Sequence, residues 1–333
     1  MNERPRIGFI GAGLIANRHL GDLLGFDDVR VVAIADPQLE RAEALAERCG
    51  GKAYPNPEDM LDREHLDAVY ICVPPFAHGR PEAAVLDRGL PFFVEKPLAA
   101  DLATAETVAA RVAAAGIVTA TGYHWRYLDI TERAQALLAD NPAHLALGYW
   151  LDSTPPPEWW AISTKSGGQM VEQTTHIFDL ARVLVGEVTR VYAAGSHIER
   201  PELPQADVDV VSTATLHFAS GALGTVASTC LLKWPHRVGL HLFGEGMAIE
   251  MSEFELMVDV GQGRPIQKAE GDPFVREDRD FVDAVQGKPN QIRAPYGEAI
   301  KTHRLATAAS RSAREGRMIE VTSPQSPIPS RGQ

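Results

Sequence analysis

Three groups of residues in this chain have types and spacings that can do chemistry. Lys96 stands in Glu95-Lys96-Pro97, directly after an apolar run. An ammonium there can donate to a hydroxyl, stabilise charge developing on its oxygen and take part in proton transfer. A surface lysine opening a loop, with the proline stopping the strand, is the competing reading. The second group is Gly167-Gly168-Gln-Met-Val-Glu172-Gln-Thr-Thr-His176-Ile-Phe-Asp179. Its glycines let the chain turn sharply into a helix beside a ligand. Glu172 and His176 are four apart, so they share a helix face, with Asp179 three further on. Histidine suits proton transfer near neutral pH, and a neighbouring carboxylate can orient it; a histidine packed under a sheet is the competing reading. The same three side chains resemble a metal-ligand set. No cysteine or second histidine sits at suitable local spacing, so no metal is expected.

The third group opens the chain. A β-branched run ends in Gly11-Ala-Gly13-Leu14-Ile15-Ala16, and a second apolar run, Val31-Val-Ala-Ile-Ala, stops on Asp36. Gly11 permits the tight turn, Gly13 keeps a side chain off an approaching pyrophosphate, and Ala16 allows close helix–strand packing. The free N–H groups of the helix start would face the phosphates. Asp36 lies at about the expected distance of roughly 20 residues, where a carboxylate accepts the ribose hydroxyls of NAD and repels the 2′-phosphate of NADP. NAD is therefore the expected cofactor. Arg41, one turn into the next helix, leaves NADP as the alternative.

These residues need a scaffold, and the apolar pattern supplies one. Strands are predicted at 6–10, 29–35, 67–73, 91–94 and 117–121, and helices at 14–24, 38–48, 81–88 and 102–115, with a short helical turn at 58–64. Continuous apolar strands alternating with helices describe a doubly wound parallel α/β sheet over 1–122. Its ligand lies beyond the carboxyl ends of the strands. Over 123–321 the pattern becomes α+β, with a large, mostly antiparallel open sheet. Helices are predicted at 129–139, 171–185, 276–286 and 297–314, and strands at 144–152, 188–196, 207–218, 222–231, 236–243, 246–250 and 254–260. The proline- and serine-rich residues 322–333 read as a disordered tail. An active site between the two domains follows, as does a homodimer or homotetramer formed through the open sheet.

Composition narrows the partners. The 333 residues are 45% hydrophobic and 23% charged, as in a globular protein with ample core. The net charge of −12, without a basic stripe, argues against nucleic acid or an anionic membrane. No apolar run reaches spanning length, and the start reads straight into a strand rather than into a signal peptide. Cys49, Cys72 and Cys230 are scattered, which suggests neither a disulfide framework nor a metal cluster. The cytoplasm is the expected compartment.

Taken in order, Gly11–Ala16, Cys72-Val73-Pro74-Pro75-Phe-Ala-His78, Glu95-Lys96-Pro97 and Gly167-Gly168…His176-Ile-Phe-Asp179 closely resemble the Gfo/Idh/MocA family, and the likeness runs to about residue 321. The resemblance implies NAD(P)-dependent oxidation or reduction at a CH–OH group of a sugar, polyol, inositol or related compound. It implies Lys96 as the catalytic lysine and His176 as the active-site histidine. The family often has aspartate four residues before that histidine, where this chain has Glu172. It also implies that Val73, Pro74, Pro75, His78 and Glu95 join Gly11–Ala16 and Asp36 around the cofactor. Gly122–Tyr127 falls where the family faces nicotinamide and substrate, so Tyr123 and Arg126 are candidate substrate contacts; Arg126 can equally fix an interdomain hinge. Trp160, beside Trp159, offers a flat face to a sugar ring or anchors the proline-rich loop. The same fold also supports elimination or glycosidic cleavage by transient oxidation, and a non-catalytic NAD-binding sensor; retention of both Lys96 and His176 counts against the sensor.

Overall fold

The computed structural model describes residues 4–321, so the expected tail lies outside the described residues. The first domain contains β1 (Arg6–Ile10), α1 (Leu14–Leu24), β2 (Arg30–Ala35), α2 (Leu39–Cys49), β3 (Lys52–Tyr54), α3 (Pro57–Arg63), β4 (Ala68–Ile71), α4 (Arg80–Leu86), β5 (Phe92–Val94), α5 (Leu102–Ala115) and β6 (Thr119–Thr121). All six strands are parallel, in the order β3-β2-β1-β4-β5-β6. β3 was not expected. It is three residues long at the sheet edge, with Lys52 exposed, and carries too little apolar pattern to register.

The second domain contains α6 (Asp129–Asp140), β7 (Leu145–Ser153), α7 (Ser163–Ser166), α8 (Gln169–Glu172), α9 (Thr175–Val185), β8 (Val188–Ser196), β9 (Val211–Phe218), β10 (Leu223–Leu232), β11 (Arg237–Gly244), β12 (Met247–Met251), β13 (Glu255–Asp259), β14 (Ile266–Lys268), α10 (Pro273–Val285), α11 (Tyr296–Glu315) and β15 (Ile319–Glu320). Nine strands form one sheet in the order β14-β13-β12-β11-β7-β10-β9-β8-β15. It is antiparallel except where β10 runs parallel to β7. The short edge strands β14 and β15 were missed for the same reason as β3. Residues 207–210, expected to open β9, are outside it.

One face of the large sheet is covered. Ala146 and Gly148 of β7, Val226 of β10 and Leu240 of β11 point toward α9, where a side chain at Gly148 would strike Ile177 at 2.5 Å. The other face carries Leu145, Leu147, Tyr192, Val211, Leu223 and Leu231, each more than a third exposed. The hydrogen-bonded register sets Leu147, Thr225, Thr215 and Tyr192 in one row across four strands.

The last helices return to the first domain. Phe9, Tyr70 and Phe93, on adjacent strands β1, β4 and β5, stack with centroids 4.9 Å apart, and Phe281 of α10 meets Tyr70 edge-on at 5.4 Å. Ala294, Tyr296, Ala299 and Ile300 fill the opposite face beside Phe92 and Val108. The strands bearing the glycine loop and Lys96 are therefore braced by chain from the far end of the sequence. No described helix is long and apolar enough to cross a membrane.

Candidate active site

The glycine loop leaves the carboxyl end of β1. Gly11 has φ +96°, and a Cβ there would lie 2.2 Å from the Cys72 carbonyl oxygen, so only glycine fits. At Gly13 a Cβ would meet nothing within 4 Å, and Gly13 caps α1 without a side-chain hydrogen bond. By contrast, Asp101 caps α5 through the Thr104 N–H at 2.9 Å. The uncapped start of α1 thus keeps N–H groups and open space for an anion. Leu14 is exposed, Ile15 half-buried and Ala16 buried against the sheet. Asp36 directly follows β2, with one carboxylate oxygen accepting from the Ala12 N–H and the other from the Gln38 N–H, both at 2.8 Å. That holds the carboxylate beside the loop. The residues present fit a dinucleotide with free ribose hydroxyls. Val73 and Pro74 are half-buried after β4, and Val73 adjoins Gly11; Pro75 is buried.

Two residues expected at the cofactor are engaged by buried protein partners. The His78 side chain is fully buried against Glu82. Glu95 accepts from His19 Nε2 at 3.0 Å and from the Lys96 N–H at 3.1 Å, while His19 Nδ1 meets Asp278 at 2.9 Å. Burial opposes the His19 imidazolium, but Asp278 and Glu95 outweigh it and hold its pKa well above the usual value. Gly122 is needed at this point, since a Cβ would lie 2.2 Å from Glu95 Oε1. Glu95 therefore holds the backbone behind Lys96. Beside this group lies Glu277, fully buried, with neither carboxylate oxygen hydrogen-bonded among the described residues.

Lys96 follows β5 and reaches across to the second domain. Its Nζ donates to Glu172 Oε1 at 2.8 Å and to the Glu172 carbonyl at 3.0 Å. Glu172 does not share a helix face with His176, because the expected helix is broken between α8 and α9. The Thr174 N–H bonds five residues back to Gln169, the His176 N–H only three back to Gln173, and the Thr174 hydroxyl bonds Ser228 at 2.8 Å. This widened and then tightened turn frees Glu172 to face Lys96. Nor does Asp179 orient the histidine, since it accepts two bonds from Arg126, at 2.7 and 2.6 Å, and one from Thr302.

His176 is 4% exposed, at the start of α9. Trp150 stacks on its ring at 5.7 Å, with Tyr123 and His124 edge-on at 6.0 and 5.1 Å. Its Nδ1 is sealed without a hydrogen-bond partner among the described residues, so Nε2 is the nitrogen with access. Burial, then the Lys96 ammonium and His124, push its pKa well below the usual histidine value. A neutral imidazole beside an ammonium can take a proton from a hydroxyl whose oxygen the ammonium steadies.

Three expected substrate contacts are engaged by protein partners. Tyr123 is 1% exposed and its hydroxyl meets Thr175 at 2.9 Å, behind His176. Arg126 is buried in its bidentate pair with Asp179 and donates to the Arg293 carbonyl at 2.7 Å. Trp160 has no exposure and donates its indole N–H to Glu172 Oε2 at 2.7 Å, so it offers no face to a sugar ring. The sequence reading missed Trp150, His124 and Glu253, whose carboxylate meets His124 Nε2 at 3.2 Å. His124 stood inside the Gly122–Tyr127 segment already singled out. Glu253 sits in the turn between β12 and β13, and nothing local marks it.

Residues 5–123 match the model of an oxidoreductase family with an NAD-binding Rossmann fold, and residues 143–250 match the Gfo/Idh/MocA C-terminal domain. A myo-inositol 2-dehydrogenase of Thermotoga maritima is 27% identical over 334 residues, covering 95% of this chain and 98% of its own. The scyllo-inositol 2-dehydrogenase (NAD(+)) of Bacillus subtilis is 28% identical over 252 residues, 73% of this chain and 72% of its own. Among solved structures, levoglucosan dehydrogenase in complex with NADH has the same fold, with a TM-score of 0.84 at 21% identity over 96% of this chain and 99% of that one.

Proposed function

The chain belongs to the Gfo/Idh/MocA family of oxidoreductases, and from that premise we propose that it is an NAD-dependent dehydrogenase oxidising a secondary hydroxyl of a sugar, polyol or inositol. The observation that carries this is Lys96, just after the carboxyl end of β5, held by Glu172 of the second domain, with the buried His176 at the start of α9 near enough to feel the ammonium. The inositol dehydrogenases among its relatives support the substrate class.

The glycine loop and the start of α1 bind the pyrophosphate, and Asp36 accepts the adenosine ribose hydroxyls. Bound NAD supplies the hydride acceptor. The substrate hydroxyl lies between Lys96 Nζ and His176 Nε2. His176 takes the hydroxyl proton on Nε2, and the Lys96 ammonium stabilises the negative charge gathering on that oxygen. Glu172 keeps the ammonium in place and leaves proton acceptance to His176. In the reverse direction the protonated His176 returns its proton to a carbonyl oxygen.

The apolar open face of the large sheet supports a homodimer or homotetramer. Three cysteines without disulfides fit work in the cytoplasm.

The test is an absorbance screen for NADH formation, with NAD and NADP in parallel, against polyols, aldoses, uronates and inositols. The same preparation is denatured to measure retained nucleotide. Net NADH from one substrate class supports the assignment. Nucleotide retained in stoichiometric amount without net turnover replaces it with transient-oxidation chemistry.

A further inference from the structure

Glu172 ends a four-residue helix, and the backbone loses its regular bonding directly after it. A glutamate there has a long, freely rotating side chain, yet both carboxylate oxygens are engaged. Oε1 takes Lys96 Nζ at 2.8 Å, and Oε2 takes the indole N–H of Trp160 at 2.7 Å. Trp160 is itself immobilised. It lies in the 3-10 turn Glu158–Ala161 with no exposed surface, packed in a small apolar cluster with Val208, Val210 and Cys230. We infer that Trp160 is a positioning residue for the reaction, its indole N–H fixing the Glu172 carboxylate so that Glu172 aims the Lys96 ammonium. The inference rests on the dehydrogenase reading for its kinetic consequence, though not for the contact itself.

Two bonds on opposite oxygens fix the plane of a carboxylate, whereas one bond leaves it free to turn about its own axis. Lys96 Nζ has three donors. Among the described residues two are taken, by the carboxylate and the carbonyl of Glu172. The third is left for a substrate oxygen, and its direction follows from the other two. Loss of the indole N–H therefore loosens the donor that acts on the reacting oxygen while leaving both glutamate and lysine in the protein. Trp159, its neighbour, cannot substitute. It meets Phe76 edge-on at 6.4 Å and is only partly buried.

The test compares Trp160→Phe with a second variant in which position 160 carries 3-benzothienylalanine. That residue keeps the bicyclic shape and replaces N–H by sulfur, so it remains informative if the phenylalanine variant folds poorly. With the substrate found in the screen, kcat falls about tenfold, the order of one hydrogen bond to a charged group, while KM holds. In a Glu172→Ala background Trp160→Phe has no further effect, because Trp160 acts only through Glu172. Independently of any substrate, Lys96 in both variants is acetylated faster by limiting acetic anhydride, read by peptide mass spectrometry. Unchanged kcat and acetylation in the benzothienyl variant overturn the inference, as does a loss that adds in full to that of Glu172→Ala. If no substrate is turned over, the dehydrogenase reading fails, and acetylation of Lys96 still decides the role of Trp160.

Discussion

At the residue scale, the proposed chemistry depends on keeping a histidine neutral beside a fixed positive charge. Burial is the largest reason that His176 resists protonation, and Lys96 and His124 add to it. Lys96→Ala should cut turnover by orders of magnitude with little change in NAD affinity. It should also move the acid limb of the residual pH–rate profile upward, because removing the ammonium lets His176 take a proton more readily. An acid limb that stays put would assign it to another group. Asp36 presents both carboxylate oxygens to backbone N–H groups beside the loop. Asp36→Ala should weaken NAD and narrow the preference over NADP, measured as the ratio of dissociation constants. An unchanged ratio would place cofactor choice elsewhere, with Arg41 the next residue to replace.

At the element scale, α1, β5 and α10 meet in a buried polar knot. His19 bridges Asp278 and Glu95, and Glu277 lies beside them without a hydrogen bond. Burial is the main cause that raises the Glu277 pKa well above 4.5; His19 opposes the shift, while Glu95, Asp278 and Asp22 add to it. The sign follows from linkage. Above pH 4.5 the unfolded chain releases this proton freely and the folded chain does so reluctantly, so the contribution of Glu277 to stability falls as pH rises. The slope is at most about 1.4 kcal/mol per pH unit, until the folded pKa is passed. Glu277→Gln removes that slope, so in urea titrations the variant should gain on wild type between about pH 5 and pH 8. Parallel pH curves for the two proteins would mean that Glu277 is fully ionised in the fold. His19 behaves differently: its raised pKa gives stability that is fully present below about pH 6.5 and lost as pH climbs through the folded value.

At the scale of the whole molecule, the large sheet is covered on one side only among the described residues. Leu145, Leu147, Tyr192 and Leu223 are exposed on the other, among threonines, and an apolar face of this kind is where a second copy is expected to dock. A stable contact of this kind buries on the order of 800 Å² per partner. Leu147→Asp, at one end of the row it forms with Thr225, Thr215 and Tyr192, should shift the protein toward monomer in light scattering, because it sets an unpaired carboxylate in the apolar face that a second copy would cover. A wild-type protein that scatters as a monomer would remove the sheet as an interface. Leu147 lies on the exposed face, opposite the one that meets α9 and His176, so loss of assembly and loss of turnover can be measured separately.

Local sequence carried the first domain almost entirely. Buried parallel strands need continuous apolar runs, and the turn after β1 needs Gly11, so the pattern and the chemistry coincide within a few residues. It also marked Lys96, Glu172 and His176, because their types and order are distinctive. It did not determine what each side chain would face. Sequence spacing set Glu172 against His176, and a broken helix turned it to Lys96 instead. Trp160, Tyr123 and Arg126 offered groups suited to a substrate, and the fold spent them on Glu172, Thr175 and Asp179. Glu95 and His78 went inward to His19 and Glu82. The reason is the same in each case. A buried polar group must find its partner in the folded interior, and those partners lie 50 or more residues away for most of these groups, beyond the reach of any local pattern.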